Sequence, residues 1–142
     1  MPVAYYMGWY TPEFAELNPD VTFVFGDNTL RVGKGGQAVI RDCPNAHGIA
    51  TKRAPDMTRP SFFTDDSEED RATVESDLAG LRKLLEEGRN VIIPMSRQTE
   101  TISLGLERAQ LPSRAPGLYK LICDKVAEYQ AEFGSWAFGK SG

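Results

Sequence analysis

Short dense runs of apolar residues recur along the chain: Val21-Thr22-Phe23-Val24-Phe25, Ala46 to Ala50, and Val91-Ile92-Ile93. Each is closed by a polar or glycine-rich stretch. Near-continuous apolar runs of this length predict strands buried on both faces, as in a parallel sheet covered by helices, rather than the alternation of a half-exposed sheet. All three are therefore expected as interior strands. The first run leads through Gly26-Asp27-Asn28 and Gly33-Lys34-Gly35-Gly36 into a short helical candidate, Gln37 to Arg41, closed by Asp42-Cys43-Pro44. The second run follows at once and ends in Thr51-Lys52-Arg53. Strand, glycine loop, helix and strand make one βαβ unit. Both of its polar segments fall at strand C-termini, where open α/β sheets hold their ligands.

Helical spacing carries much of the rest. Val74, Leu78, Leu81 and Leu85 share one helix face, with acids from Asp66 to Asp70 at the positive end of the dipole and Gly88 as the stop. The acidic run from Asp65 to Asp70 is expected as a solvated helix start. Pro116 is placed to begin a last helix, on which Leu118, Ile122, Lys125, Tyr129 and Phe133 fall near one face before Gly134 ends it. Val3 to Tyr10 reads as a strand at an edge or along the core. Thr11 and Pro12 form a cap and first position for one helical turn. Pro55 and Pro60 keep the stretch from Arg53 to Asp65 irregular, as a flap over the site or a long connection. The expected architecture is one three-layer α/β/α domain over residues 1–134, its sheet mostly parallel or mixed, with a tail over 135–142.

At 142 residues one domain is the default. A net charge of −4 and an isoelectric point near 5.0 disfavour non-specific nucleic-acid or membrane binding. Two cysteines, Cys43 and Cys123, and one histidine, His47, exclude a zinc ribbon and provide no disulfide framework. With no apolar run of transmembrane length and no basic-then-apolar start, the expected location is the cytoplasm.

The loops after Phe25, Ala50 and Pro94 converge if the strands are parallel. They would bring together Asp27, Asn28, Arg31, Lys34, Thr51, Lys52, Ser96, Arg97 and Ser103. Gly33, Gly35 and Gly36 let backbone N–H groups approach a phosphate, or else simply form a tight strand-to-helix turn. The spacing matches neither the Walker loop nor the dinucleotide fingerprint. Asp27 and Asn28 suit a ribose or base edge, and equally a turn held by local side-chain bonds. His47 reads as a structural histidine within its strand. Cys43 lacks a base to activate it, Ser96 and Ser103 lack a triad partner, and no acidic cluster marks a metal.

The segments Val24-Phe25-Gly26-Asp27-Asn28, Arg31-x-Gly33-x-Gly35-Gly36-Gln37-Ala38 and Pro44-Asn45-Ala46-x-Gly48-Ile49-x-Thr51-Lys52 resemble a small uncharacterised family of bacteriophages and bacteria. That family is in turn similar to macrodomains, the α/β/α modules that bind ADP-ribose. The resemblance implies a macrodomain-like fold and a nucleotide pocket at the strand C-terminal ends. Asn28 matches the macrodomain asparagine position, Gly33 to Gly36 the first phosphate loop, and Ser96 to Gly105 the second. It implies Asp27 and Asn28 as the catalytic pair if an ADP-ribose linkage is hydrolysed. Ligand contacts would come from Gly26, Arg31, Gly33, Lys34, Gly35, Gly36, Gln37, Thr51, Lys52, Ser96 and Ser103, with no cofactor or metal. The chain lacks the consecutive asparagines of typical macrodomains, and its second loop is not glycine-rich. Beside a nucleotide-binding ADP-ribosyl hydrolase stand a non-enzymatic nucleotide-sequestering or sensing module and a phage accessory protein that binds a host protein through its acidic helix.

Overall fold

The computed structural model describes residues 3–96, 102, 104 and 110–136. Ser103 and Arg97 lie outside the described residues, as does most of the expected second loop. The apolar runs form strands β2 (Val21–Asn28), β3 (Ala46–Lys52) and β4 (Asn90–Pro94), and the aromatic start forms β1 (Val3–Tyr6). They make one four-stranded sheet in the order β1-β4-β2-β3, and every strand pair in it is parallel. All four C-termini therefore point to the same end.

The helices are α1 (Pro12–Glu16), α2 (Glu68–Glu86), α3 (Leu111–Arg114) and α4 (Pro116–Phe133). Two cores, one on each sheet face, account for the near-continuous apolar character of the strands. On one face Val24, Ile49, Val91 and Ile93 pack with Val74, Leu78, Leu81 and Leu85 of α2 and with Leu118, Ile122, Val126 and Tyr129 of α4. On the other, Val21, Phe23, Phe25 and Ile92 pack with Tyr10, Ala15, Ala38 and Ile40. The result is an α/β domain with helical segments on both faces.

The local signals act as the chemistry requires. Thr11 caps α1 by accepting from the Phe14 N–H, with Pro12 at the first helical position. Gly88 and Gly134 follow α2 and α4 with φ of 88° and 97°, the left-handed region that glycine enters without cost. The short helix between β2 and β3 is a 3-10 helix, Gly36–Ile40. Ser135 and Trp136, expected as the start of a tail, are docked. The Val3 N–H donates to Gly134 O, the Trp136 N–H to Val3 O, and the Trp136 indole N–H to Val91 O.

Two expectations are corrected. Strand β3 lies at the sheet edge, not inside it. It reads as interior because its outer side is covered: Asp77 of α2 accepts the Ala50 N–H at 2.8 Å, and Lys52 bridges to Phe62. The acidic start of α2 is not simply solvated. Asp70 is buried and holds Arg53 through both carboxylate oxygens (2.7–3.3 Å) while accepting the Thr64 N–H. Asp65 reaches across to cap α4, accepting the Gly117 and Leu118 N–H groups at 2.8 and 2.9 Å. A carboxylate at that position faces the positive end of the α4 dipole.

Candidate functional site

Pairing between the two central strands stops early. β2 and β4 are matched from Val21↔Asn90 to Phe23↔Ile92; beyond that β2 continues with β3 alone and β4 with β1 alone. The sheet thus splits at its C-terminal end into two two-stranded arms. In open α/β sheets the opening between diverging central strands is the usual place for a ligand. The buried Tyr10 hydroxyl donates to the Ile92 carbonyl at 3.4 Å, at the base of the split. Burial raises the Tyr10 phenol well above its ordinary range.

At the tip of β2 the register shifts between Asp27 and Asn28. A bulge of this kind re-aims side chains, and here both consecutive residues are buried. Asp27 lies over Gly48 of the neighbouring strand, where a Cβ would stand 2.8 Å from the Asp27 Cβ. The glycine is what admits the carboxylate. Asp27 Oδ1 accepts from the Asn28 N–H (2.8 Å) and pairs with Arg41 (2.7 Å), and Oδ2 pairs with Arg31 (3.1 Å). Arg31 also pairs with Asp77 at 2.7 Å; burial, which lowers its guanidinium pKa, is outweighed by the bonds and charges of Asp77 and Asp27, which leave it raised. Arg31 holds φ of 59° in the turn closed by its N–H to Asn28 O. A non-glycine residue there costs about 1–2 kcal/mol; the bridge to two carboxylates offsets it.

The glycine loop is braced from inside. Arg41 donates to the carbonyls of Val32 (3.1 Å) and Gly33 (2.8 Å), and Asn28 Nδ2 donates to Val32 O (2.8 Å). Because the peptides are trans and planar, these inward carbonyls turn the N–H groups of Gly33 and Lys34 the opposite way, toward the exposed side of the loop. Gly33 and Gly36 have positive φ (93° and 58°), and no atom lies within 4 Å of where a Gly36 Cβ would sit. Lys34 is exposed and paired with Asp42. The Gln37 amide binds another segment: it accepts the Tyr10 N–H at 2.7 Å and donates to Gly8 O at 3.0 Å, gripping the backbone on both sides of Trp9.

One polar atom in this region stands out. Asn28 Oδ1 is buried and, among the described residues, has no hydrogen-bond partner. Exchanging the amide's oxygen and nitrogen would set oxygen against the Val32 carbonyl, so the assignment is fixed by the network. An unmet buried acceptor costs about 1–3 kcal/mol.

At the tip of β3, Thr51 is buried with its hydroxyl 3.4 Å from the carbonyls of Asp27 and Leu104. The Lys52 ammonium donates to Asp56 O and stands 4.8 Å from the Phe62 ring centroid, whose ring also carries the Arg114 guanidinium at 4.0 Å. Asp56 organises this segment: Ser61, Thr58 and the Thr58 N–H all donate to it and hold its pKa down at about 2. Gly26 sits within β2 opposite Ile49, and Ser96 follows β4, partly buried.

Asp27, Asn28, Arg31 and the glycine loop thus form one connected network, while Gln37 holds the chain around Trp9 and Lys52 belongs to the Asp56–Phe62 loop. Arg41, Asp77 and Gly48 are members that sequence reasoning missed. Gly48 was the available signal, a glycine inside an otherwise apolar strand. Among the described residues no group of three His, Cys, Asp or Glu could hold a metal ion, and no helix is long and apolar enough to cross a membrane. No curated protein and no solved structure matches the chain. A family model does match, over residues 5–125, from within β1 to the middle of α4: the chain belongs to DUF7831, a family of unknown function.

Proposed function

We propose that the chain binds ADP-ribose or a related nucleotide at the split end of its sheet, against Asn28 and the loop from Arg31 to Gly36. The observation that carries this reading is the buried, unpartnered Oδ1 of Asn28, beside a loop whose outward N–H groups suit a phosphate. An acceptor held without a partner at the end of a parallel strand calls for a donor from outside, such as a ribose hydroxyl or base amine. Phosphate oxygens, acceptors themselves, belong on the loop amides instead.

Binding without hydrolysis is favoured by the state of Asp27. A general base needs a free lone pair near the substrate, and three donors, Arg31, Arg41 and the Asn28 N–H, already occupy most of the Asp27 acceptor sites. The carboxylate orders the loop. This supports the sequestering or sensing form of the nucleotide reading over an ADP-ribosyl hydrolase. A host-protein contact through the acidic helix has less support, since Asp70 is buried against Arg53 and Asp65 is taken up in capping α4.

The test is ligand-induced stabilisation. ADP-ribose, NAD and AMP are added to the wild type, Asn28→Ala and Gly36→Val, with folding of each variant checked by circular dichroism. Saturation at 100 times Kd should stabilise the wild type by about 2.7 kcal/mol. Asn28→Ala should weaken binding about tenfold or more, and Gly36→Val should abolish it by filling the open side of the loop. No stabilisation of the wild type by any of the three ligands would refute the proposal. Conversion of an ADP-ribose-linked substrate by the wild type, lost in Asp27→Asn, would restore the hydrolase reading.

A further inference from the structure

Among the described residues, five of the six exposed large apolar ones, Met7, Trp9, Leu30, Val32 and Met57, follow the C-terminal ends of β1, β2 and β3; the sixth, Leu17, lies at the opposite end. Trp9 is the largest and is 75% exposed. Beyond β1 the chain continues to alternate: Tyr6, Gly8 and Tyr10 face inward, and Met7 and Trp9 outward. The inward set is tightly fitted. Tyr6 stacks on Tyr10 at 6.0 Å, and a Cβ at Gly8 would stand 2.5 Å from the Tyr6 hydroxyl oxygen. The Gln37 amide then fixes the carbonyl before Trp9 and the N–H after it.

An indole left largely in water on a backbone held this firmly contributes little to the core. The backbone on either side of it is held by the side chain of Gln37, the residue that directly follows Gly36. We infer that Trp9 is a stacking platform for the aromatic base of the ligand, an inference that rests on the nucleotide reading above. The outward loop N–H groups suit a phosphate, the Asn28 acceptor suits a hydroxyl or amine, and the indole suits a planar ring. A nucleotide combines all three, whereas an apolar protein surface would leave the Asn28 acceptor unmet. Base–aromatic stacking is sequence-tolerant because every base presents a π-face, so the platform would select for a base rather than for one particular base.

The test compares AMP with ribose 5-phosphate, which keeps the sugar and the phosphate and lacks the base. Binding is read by calorimetry, and stacking by quenching of indole fluorescence. The wild type should prefer AMP by about tenfold or more, with quenching by AMP alone. Trp9→Ala should bring the two affinities together while leaving ribose 5-phosphate binding and the melting temperature unchanged. Trp9→Phe should keep most of the preference and lose the quenching. An AMP preference unaltered in Trp9→Ala would overturn the platform while leaving nucleotide binding intact. If neither ligand binds the wild type, both readings fall. If the wild type self-associates, Trp9→Ala is monomeric and the AMP preference is unchanged, the indole covers a second copy of the chain and the platform is refuted.

Discussion

Asn45 and Asn28 stand at opposite ends of the same pair of strands and are used in opposite ways. Asn45, just before β3, donates its side-chain amide to the carbonyls of Ala15, Asn18 and Val21 (2.9–3.0 Å), while its backbone carbonyl accepts the Phe23 N–H. Nearby, Arg89 ties Thr22 Oγ1 to Pro19 O, closing that end of the sheet. Asn28, at the tip of β2, gives one bond to Val32 O and keeps a buried oxygen unmet. Positive-φ Arg31 and the bulge lie beside it, and exposed apolar residues follow the strand ends on this side of the sheet. A fold closes its polar groups wherever only stability is at stake, because an unmet one is expensive. The end that leaves one open, and braces the surrounding loop with two arginines, is the end arranged for something else.

The strongest way to break this contrast is to deny Asp27 its place. Gly48→Ala puts a methyl group against the Asp27 carboxylate and the backbone side of its Cβ, neither of which can retreat between β2 and β3. Displacing the carboxylate strands Arg41, whose side chain is only 14% exposed. Breaking a buried ion pair costs about 3–5 kcal/mol. Chemical denaturation should show a loss at the lower end of that range, since Arg31 is more exposed, and a wild-type midpoint would show that the clamp does not depend on Gly48.

The two asparagines supply the next comparison. Asn45→Ala leaves three carbonyls without their donor and should cost about 2 kcal/mol. Asn28→Ala loses one bond but also removes the unmet oxygen, so its net cost should stay below about 1 kcal/mol. Equal destabilisation of the two variants, measured side by side by urea unfolding, would erase the distinction between a closed and an open end.

The smallest effect is a pH dependence at the loop beside Lys52. The folded Asp56 pKa, about 2, lies below the ordinary carboxylate value near 3.9. A depressed folded value means that its stabilisation is present above the unfolded pKa and is lost as pH falls from about 4 through 2. Melting temperatures over that window should fall more steeply for the wild type than for Asp56→Asn. Identical slopes would mean that Ser61 and Thr58 do not hold the carboxylate in solution.

The fold was legible where local physics decides it. Val74, Leu78, Leu81 and Leu85 bury as their spacing requires, Thr11 caps its turn, and Gly88 and Gly134 end their helices. The strands β2 and β4 follow from apolar runs that both sheet faces cover. The candidate site was legible only as a neighbourhood. Asp27, Asn28 and the glycine loop were visible as a polar stretch after a strand. Their division of labour was not, because it depends on Arg41 and Asp77 meeting them from other elements.

The sequence by itself therefore determined the α/β class, the positions of the main strands and helices, and the strand end at which polar chemistry collects. These depend on burial, periodicity and capping, which act between residues a few positions apart. Only the tertiary structure decided that β3 is the edge strand, that Asp70 is buried against Arg53 and Asp65 caps α4, that Asp27 is held by Arg31, Arg41 and the Asn28 N–H, and that Asn28 keeps a buried acceptor unmet. Each of those is a property of a pair or a network whose members lie far apart in the chain. Whether a buried oxygen has a partner depends on every element packed around it, and no local pattern encodes that.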